Sequence, residues 1–333
     1  MDPIDSFETI ISRTPFRLPL GGGGTDLPAY YTKYGGFFIG AAVNKYMSIV
    51  LHRNFGDKLR ISYSKTEIVD TPNEIEHPII REALKRTGVT RGVEMMSFAD
   101  IPASTGLGSS GSFAVGLLKG LYTIKREYRS PAELAEEACH ISMVVLNEPS
   151  GKQDEHVASL GGIRAYAIDN MGHVESEELN LTSSTIAELE SNIMLFYTGI
   201  TRDSRSVLRK QQKNIESGSS LERMHKIKEI GLKSKEALEA GDITRFGELL
   251  HEHWMAKRDI TDNMTNSSIN HAVDIARENG AIGEKILGAG GGGFLMIYSE
   301  KKHKGIRLAL ERLGLQEYRV KFDFEGSKVV YNI

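Results

Sequence analysis

The sequence predicts a two-domain protein of the α+β class. Three observations carry this. A chain of 333 residues is about twice the usual length of one domain. Strand-like and helix-like stretches come in runs without regular strand–helix alternation, which argues against a doubly wound parallel sheet. The 34 glycines gather in three distant clusters: LGGGGTDL from Leu20, TGLGSSGS from Thr105 and GAGGGGF from Gly288. Three such loops in one chain point to convergence on a ligand, with ordinary turns as the competing reading for any one of them.

Most of the first hundred residues read as strand. Residues 37–53 (FFIGAAVNKYMSIVLHR) and 58–64 (KLRISYS) are rich in β-branched and aromatic side chains that partly alternate. Phe113, Ala114, Leu117, Leu118 and Leu121 then recur at helical spacing. Ser130, Pro131 and Glu133 form a capping box that opens a helix through about Leu146. GIRAYAID returns to strand. A polar stretch over residues 183–191 precedes the apolar NIMLFYTG, and the domain boundary is placed there, giving domains 1–186 and 187–333. The second half is helical from about Asp203 to Asp259 and again from Ser268 to Asn279, where Gly280 supplies a left-handed cap. Strand–turn–strand (KILGAGGGGFLMIY), helix (KGIRLALERLG) and strand (EYRVKFDF) complete the chain.

Composition excludes several functions. The net charge of −3, with 26% charged and 40% hydrophobic residues, offers no basic stripe for nucleic acid or a membrane surface. Cys139 is the only cysteine, so no intrachain disulfide forms, and a reducing compartment is expected. MDPIDSFETI lacks the pattern of a signal peptide, and no apolar run approaches the ~20 residues a membrane span needs. A cytoplasmic protein is the expectation. The HEHW run at His251 lacks metal-site spacing and reads as an ordinary amphipathic helix. Cys139 and Trp254 read as packed core residues, whereas Tyr30 and Tyr31 stay open between packing and ring stacking.

The stretch PASTGLGSSGS from Pro102 has the glycines of a phosphate loop but no lysine after them. A helix starting near Ser110 would aim its unpaired amides back into the loop and cradle phosphate oxygens. Its dipole contributes on the order of 1 kcal/mol, too little for a triphosphate alone. A Mg2+ ion would supply the rest of the charge, with the Ser110 hydroxyl a suitable ligand.

The same stretch resembles the second motif of the GHMP kinases, the galacto-, homoserine, mevalonate and phosphomevalonate kinase superfamily. RTPFRLPLGGGGTDLPAYY resembles the first motif and KILGAGGGGFLMIY the third, so the likeness runs from Arg13 to Tyr298. It implies an N-terminal domain like the second domain of ribosomal protein S5, a ferredoxin-like C-terminal domain, and the cofactors ATP and Mg2+. ATP would lie against Pro102, Thr105, Gly106, Leu107, Gly108, Ser109, Ser110 and Gly111. EPSGKQDEHVASLGG is similar to the segment carrying the catalytic aspartate, which falls on Asp154, and Arg17 matches the family's basic residue. The substrate side would be Gly23, Gly24, Thr25, Asp26, Gly290 and Gly291. Many relatives place a metal-binding glutamate where this chain has Ser142. Either Glu148 or Asp154 then approaches the metal, or water fills the place, or catalysis is impaired.

GGGTD lacks the Glu-His pair of galactokinases. With the LPAYYTKYGGFFIGAAVNKY that follows, it most resembles the branch acting on D-glycero-D-manno-heptose 7-phosphate. That branch phosphorylates the anomeric hydroxyl to give the 1,7-bisphosphate. A phosphorylated sugar calls for a cationic clamp, for which Lys45, Lys152, Arg202 and Arg205 are the candidates. A fucokinase-like enzyme, another small-molecule kinase of the family, or a weakly catalytic sugar and nucleotide sensor are the alternatives. The partners expected are a sugar phosphate and ATP, with neither nucleic acid nor membrane, in a monomer or homodimer.

Overall fold

The computed structural model describes residue 4 and residues 6–201, 203–261 and 264–333. From the N-terminus, β1 (Thr9–Gly21) and β2 (Gly36–Arg53), joined through α1 (Pro28–Tyr34), pair antiparallel along most of their length. β3 (Leu59–Ser62), β4 (Thr66–Val69), α2 (Pro78–Thr87) and β5 (Val93–Ala99) follow. Then come α3 (Ser109–Ile124), α4 (Pro131–Cys139), α5 (Gln153–Leu160), β6 (Ile163–Ile168) and β7 (Val174–Glu178). α6 (Ser183–Asn192) leads into β8 (Ile193–Tyr197) and four helices: α7 (Ser204–Glu216), α8 (Leu221–Glu239), α9 (Ile243–Arg258) and α10 (Ser267–Glu278). β9 (Gly283–Ile286), β10 (Phe294–Tyr298), α11 (His303–Arg312), β11 (Gln316–Tyr318) and β12 (Lys328–Asn332) end the chain.

Among the described residues the strands form two sheets. The larger has the order β12-β1-β2-β5-β3-β4, with β6 and β7 continuing from β2. The smaller is antiparallel, in the order β11-β8-β10-β9. One hydrophobic core joins them, since Phe16, Ile39 and Leu117 belong to the same buried cluster as Leu195, Phe246 and Met296. A second cluster, with Trp254, Phe196 and Met224, fills the helical half and takes in Leu27 and Tyr30 from the first half of the chain.

Three expectations are corrected. The polar stretch placed at the domain boundary is helix α6, whose N-cap Thr182 accepts from the Thr185 amide. Of the expected strand EYRVKFDF only Glu317 and Tyr318 lie in the small sheet, as the end of β11, and Phe322 then bridges to Val43 of the large one. The chain end is therefore not part of the C-terminal domain drawn at 187–333. β12 pairs antiparallel with β1, Ile10 opposite Asn332 and Arg13 opposite Lys328, and so covers an edge that would otherwise expose unpaired amides. The Ser130 capping box forms as expected, and the helix it opens reaches the expected length, its last turn, His140–Val145, being π-helical.

Helix α3 is central. It is buried almost all round because it lies against β1 and β2, and its glycines permit that close fit. A Cβ on Gly116 would sit 2.6 Å from Thr14 Oγ1, and one on Gly120 2.7 Å from Leu51 Cδ1. Leu117, Leu118 and Leu121 are fully buried here, worth about 1.5–3 kcal/mol each. At its first turn α3 presses on α5: a Cβ on Gly111 would lie 2.7 Å from Asp154 Cβ and 3.0 Å from the Glu155 amide. Gly111→Ala is expected to cost about 1–3 kcal/mol through this overpacking. Gly56→Ala, in open space, should leave urea-unfolding stability within about 0.5 kcal/mol of the unsubstituted chain.

Candidate active site

Gly108 takes a left-handed conformation, φ 80°, and caps the N-terminus of α3. The chain thus turns so that the first amides of α3 face a cleft of about 1480 Å3, including its open mouth. Gly106, Gly108, Ser109, Ser110 and Gly111 line the cleft, as does Ser104. The other three residues expected around ATP turn away and hold the loop's shape. Thr105 Oγ1 donates to the Pro102 carbonyl (2.9 Å), and the Thr105 carbonyl accepts from the Phe294 amide (3.0 Å). Leu107 is buried, its carbonyl accepting from the Arg17 amide (3.1 Å).

Asp154, in the first turn of α5, lies across this loop. Arg17, from the buried half of β1, donates through Nε (2.7 Å) and approaches with Nη2 (2.6 Å), both toward Asp154 Oδ1. Arg17 Nη1 donates to the Gly106 carbonyl. Both contacts fall on one oxygen, which leaves Oδ2 outside the ion pair. The Arg17 side chain is 5% exposed and that of Asp154 35%, an anchored cation beneath a reachable carboxylate.

Asp26 reaches the cleft from the first glycine loop, with Gly23 and Gly24. Its Oδ1 accepts from the Gly24 amide (2.9 Å) and its Oδ2 from the Gln153 amide (3.2 Å), so it ties that loop to the start of α5. Burial raises its pKa and the nearby Asp154 charge adds to the rise, against the pull of the two amides. A Cβ on Gly151 would stand 2.0 Å from Asp26 Oδ2, which explains the glycine there. Thr25 does not reach the cleft, because its hydroxyl is taken by the Gly22 and Phe37 carbonyls. Gly290 lines the cleft and Gly291 does not, its amide held by the Met264 carbonyl at 2.8 Å. Tyr30 is packed, its hydroxyl 2.8 Å from His225 Nδ1.

Of the four candidate cations, Arg205 alone is seen to line the cleft. Lys152 is buried against Glu136 (2.6 Å) and the Gly172 carbonyl (2.6 Å), and Lys45 sits on β2 away from the opening. Arg202 lies outside the described residues. Glu148 does line the cleft, but Arg205 Nη2 stands 2.6 Å from its Oε1, so its carboxylate is already paired.

Two further groups were not singled out from sequence. Glu155 is 5% exposed and borders the cleft, with its Oε1 3.4 Å from Ser142 Oγ and its Oε2 buried without a hydrogen-bond partner. Burial pushes its pKa up to about 8, and the charges of Asp154 and Asp26 reinforce this. A buried carboxylate oxygen lacking a donor suits a hard cation, so the residues present fit Mg2+. Among the described residues no three His, Cys, Asp or Glu side chains make a ready-built metal cage, which is how a phosphate-borne Mg2+ is normally met. Lys257, at the end of α9, is the second group, a buried lysine on the cleft wall. Adjacency to Asp154 could have flagged Glu155; nothing in MAKRDI distinguishes Lys257 from a solvent-facing helix end.

No helix among the described residues is long and apolar enough to cross a membrane. The GHMP kinases N terminal domain family matches residues 73–162, and the GHMP kinases C terminal family matches residues 234–313. A D-glycero-alpha-D-manno-heptose 7-phosphate kinase of Campylobacter jejuni is 28% identical, over 96% of this chain and 98% of that protein. A bifunctional L-fucokinase/L-fucose-1-P guanylyltransferase of Bacteroides fragilis is 24% identical over 91% of this chain but only 36% of its own length. Among solved structures, a putative sugar kinase from Campylobacter jejuni superposes with a TM-score of 0.79 at 27% identity, covering 98% of this chain and 99% of that one. A D-glycero-D-manno-heptose 1-phosphate kinase from Bacteroides thetaiotaomicron gives 0.80 at 24% identity, covering 97% and 99%. With both family matches in order and the phosphate loop, Arg17 and Asp154 gathered on one cleft, the chain belongs to the GHMP kinase family and is an ATP-dependent sugar kinase.

Proposed function

We propose that this kinase transfers the terminal phosphoryl group of Mg·ATP to the anomeric hydroxyl of D-glycero-D-manno-heptose 7-phosphate, giving the 1,7-bisphosphate and ADP. The likeness to a heptose 7-phosphate kinase along almost the full length of both chains carries this reading. The cleft supports it, since Arg205 offers a mobile cation for a distal phosphate: its side chain is 58% exposed and it borders the opening. Arg205 would exchange its partner Glu148 for a phosphate dianion, a stronger bidentate acceptor.

The α3 amides at Ser109, Ser110 and Gly111 receive the phosphate chain, assisted by the helix dipole. Asp154 Oδ2 orients the anomeric hydroxyl and takes its proton as the oxygen–phosphorus bond forms and ADP departs. Arg17 keeps that carboxylate in one rotamer and places positive charge beside the transferring group. Ser110 and Glu155 would hold the Mg2+ ion, which when bound neutralises charge on the phosphates.

Three outcomes are expected. Asp154→Asn should lower kcat by ~10²-fold or more with nucleotide binding retained in calorimetry, and near-normal turnover would remove Asp154 from the reaction. Coupled-assay kcat/KM should favour heptose 7-phosphate over galactose, fucose and unphosphorylated heptose, with Arg205→Met eroding that preference by ~10-fold or more. Equal rates on phosphorylated and unphosphorylated sugar would overturn the substrate proposed.

The third concerns Glu155. Its folded pKa is raised, so its burial costs nothing below the ordinary carboxyl value of 4.5, and the cost grows as pH rises toward about 8. Metal-free protein should therefore lose stability over that window, and Glu155→Gln should flatten the loss. The same variant should weaken Mn2+ binding to the ADP complex, read by paramagnetic resonance, by ~10-fold.

A further inference from the structure

Lys257 has no part in the scheme above, yet its position is unusual. It sits in the last turn of α9, is 6% exposed, and borders the cleft. Its Nζ donates to the Gly288 carbonyl at 2.7 Å. Among the described residues no carboxylate lies within ion-pair distance of it, so an ammonium is buried with one acceptor for three donors. Burying a cation without a counter-charge costs several kcal/mol, and a neutral donor would hold a loop carbonyl at far less cost. A lysine here therefore requires an anion.

The surroundings say where that anion would be. Gly288 backs directly onto the phosphate loop: a Cβ there would lie 2.6 Å from Gly106 Cα. Arg17 Nη1 donates to the carbonyl of that same Gly106. Two cations, one from each half of the chain, are thus tethered to two glycines in mutual contact, and both border the cleft beside Asp154. The carboxylates offset this charge only in part. Asp154 is engaged by Arg17 through Oδ1, and Asp26 by two amides. Lys285 on β9, whose Nζ is held by the Pro19 carbonyl, is itself buried, and burial with the charges of Lys257 and Arg17 pushes its pKa well down. Burial, with the charge of Arg17 next, lowers the pKa of Lys257 to about 8 against the pull of Asp26 and Asp154, so a bound anion would favour its charged form.

We infer that Lys257 is a phosphoryl-binding residue supplied by the C-terminal half, holding the terminal phosphoryl group of ATP from the side opposite Arg17. In a loose transition state the charge spreads over three equatorial oxygens, and a cation on each side stabilises it better than one. This rests on ATP-dependent phosphoryl transfer by the family and not on the sugar proposed above, so a wrong acceptor leaves it standing.

The test compares ADP with the non-hydrolysable triphosphate analogue AMPPNP, both with Mg2+, by calorimetry on the full chain, its Lys257→Met and Lys257→Gln variants, and Lys257→Arg. The glutamine variant keeps a donor for Gly288 without the charge, so it separates loop support from anion binding should the methionine variant misfold. Expected for both neutral variants is a loss of ~10-fold or more in AMPPNP affinity, less than ~3-fold for ADP, and a fall in kcat of ~10²-fold, with partial rescue by arginine. Equal weakening for ADP and AMPPNP, a loss confined to the sugar phosphate, or unchanged AMPPNP binding in the glutamine variant would each overturn the assignment.

Discussion

The structure depends on how closely three stretches of backbone approach one another around the phosphate loop. Gly106 meets the Leu287 carbonyl and Gly288, and a Cβ on Gly293 would sit 2.2 Å from the Thr105 carbonyl. Gly108 and Gly111 lie against Asp154, with no room for a side chain at Gly111. Main chain pressed on main chain fixes relative positions more tightly than side-chain packing, because peptide units lack rotamers to relax into. This contact brings the amides of α3, the carboxylate of α5 and the C-terminal glycine loop into one cleft. It also explains why glycines cluster where the loop backbones meet, while Gly116 and Gly120 further along α3 serve its close fit to β1 and β2.

Charge is distributed on the same frame. Arg17 enters from a strand whose neighbours are all buried, so its guanidinium is held by geometry before any substrate arrives. Asp154 stands above it with one oxygen engaged and one open. Asp26 and Glu155 are buried carboxyls whose pKa values rise, and Lys257 is a buried amine whose pKa falls. Each is a group kept away from water at a cost in stability. Opposed shifts concentrated in one cleft are the pattern expected where ligand charges, and not solvent, complete the electrostatics.

The two halves of the chain are not independent bodies in this arrangement. Their sheets share a hydrophobic core, the chain end returns as β12 to the edge of β1, and Arg17 and Lys257 flank the meeting point of two glycine loops. Motion that separated the halves would pull apart the same contacts that shape the cleft. The active site is therefore coupled to the global fold and not confined to a loop.

Local signals were enough for much of this protein. The strand β2, the helix start near Ser110, the Ser130 capping box and the helical run from Ser204 to Arg258 were legible because each depends on residues near in sequence. So were the three glycine clusters and, through motif likeness, Arg17, Asp26 and Asp154. Tertiary structure decided what depends on contacts between distant residues. It withdrew Thr25 and Leu107 from the cleft by giving their polar groups backbone partners, and it gave Lys152 to Glu136. It carried β12 back to β1 at the other end of the chain, since an unpaired edge can be satisfied by any strand of matching register. It made Glu155 and Lys257 significant through burial alone, a property that a side chain acquires only from the neighbours the fold brings to it.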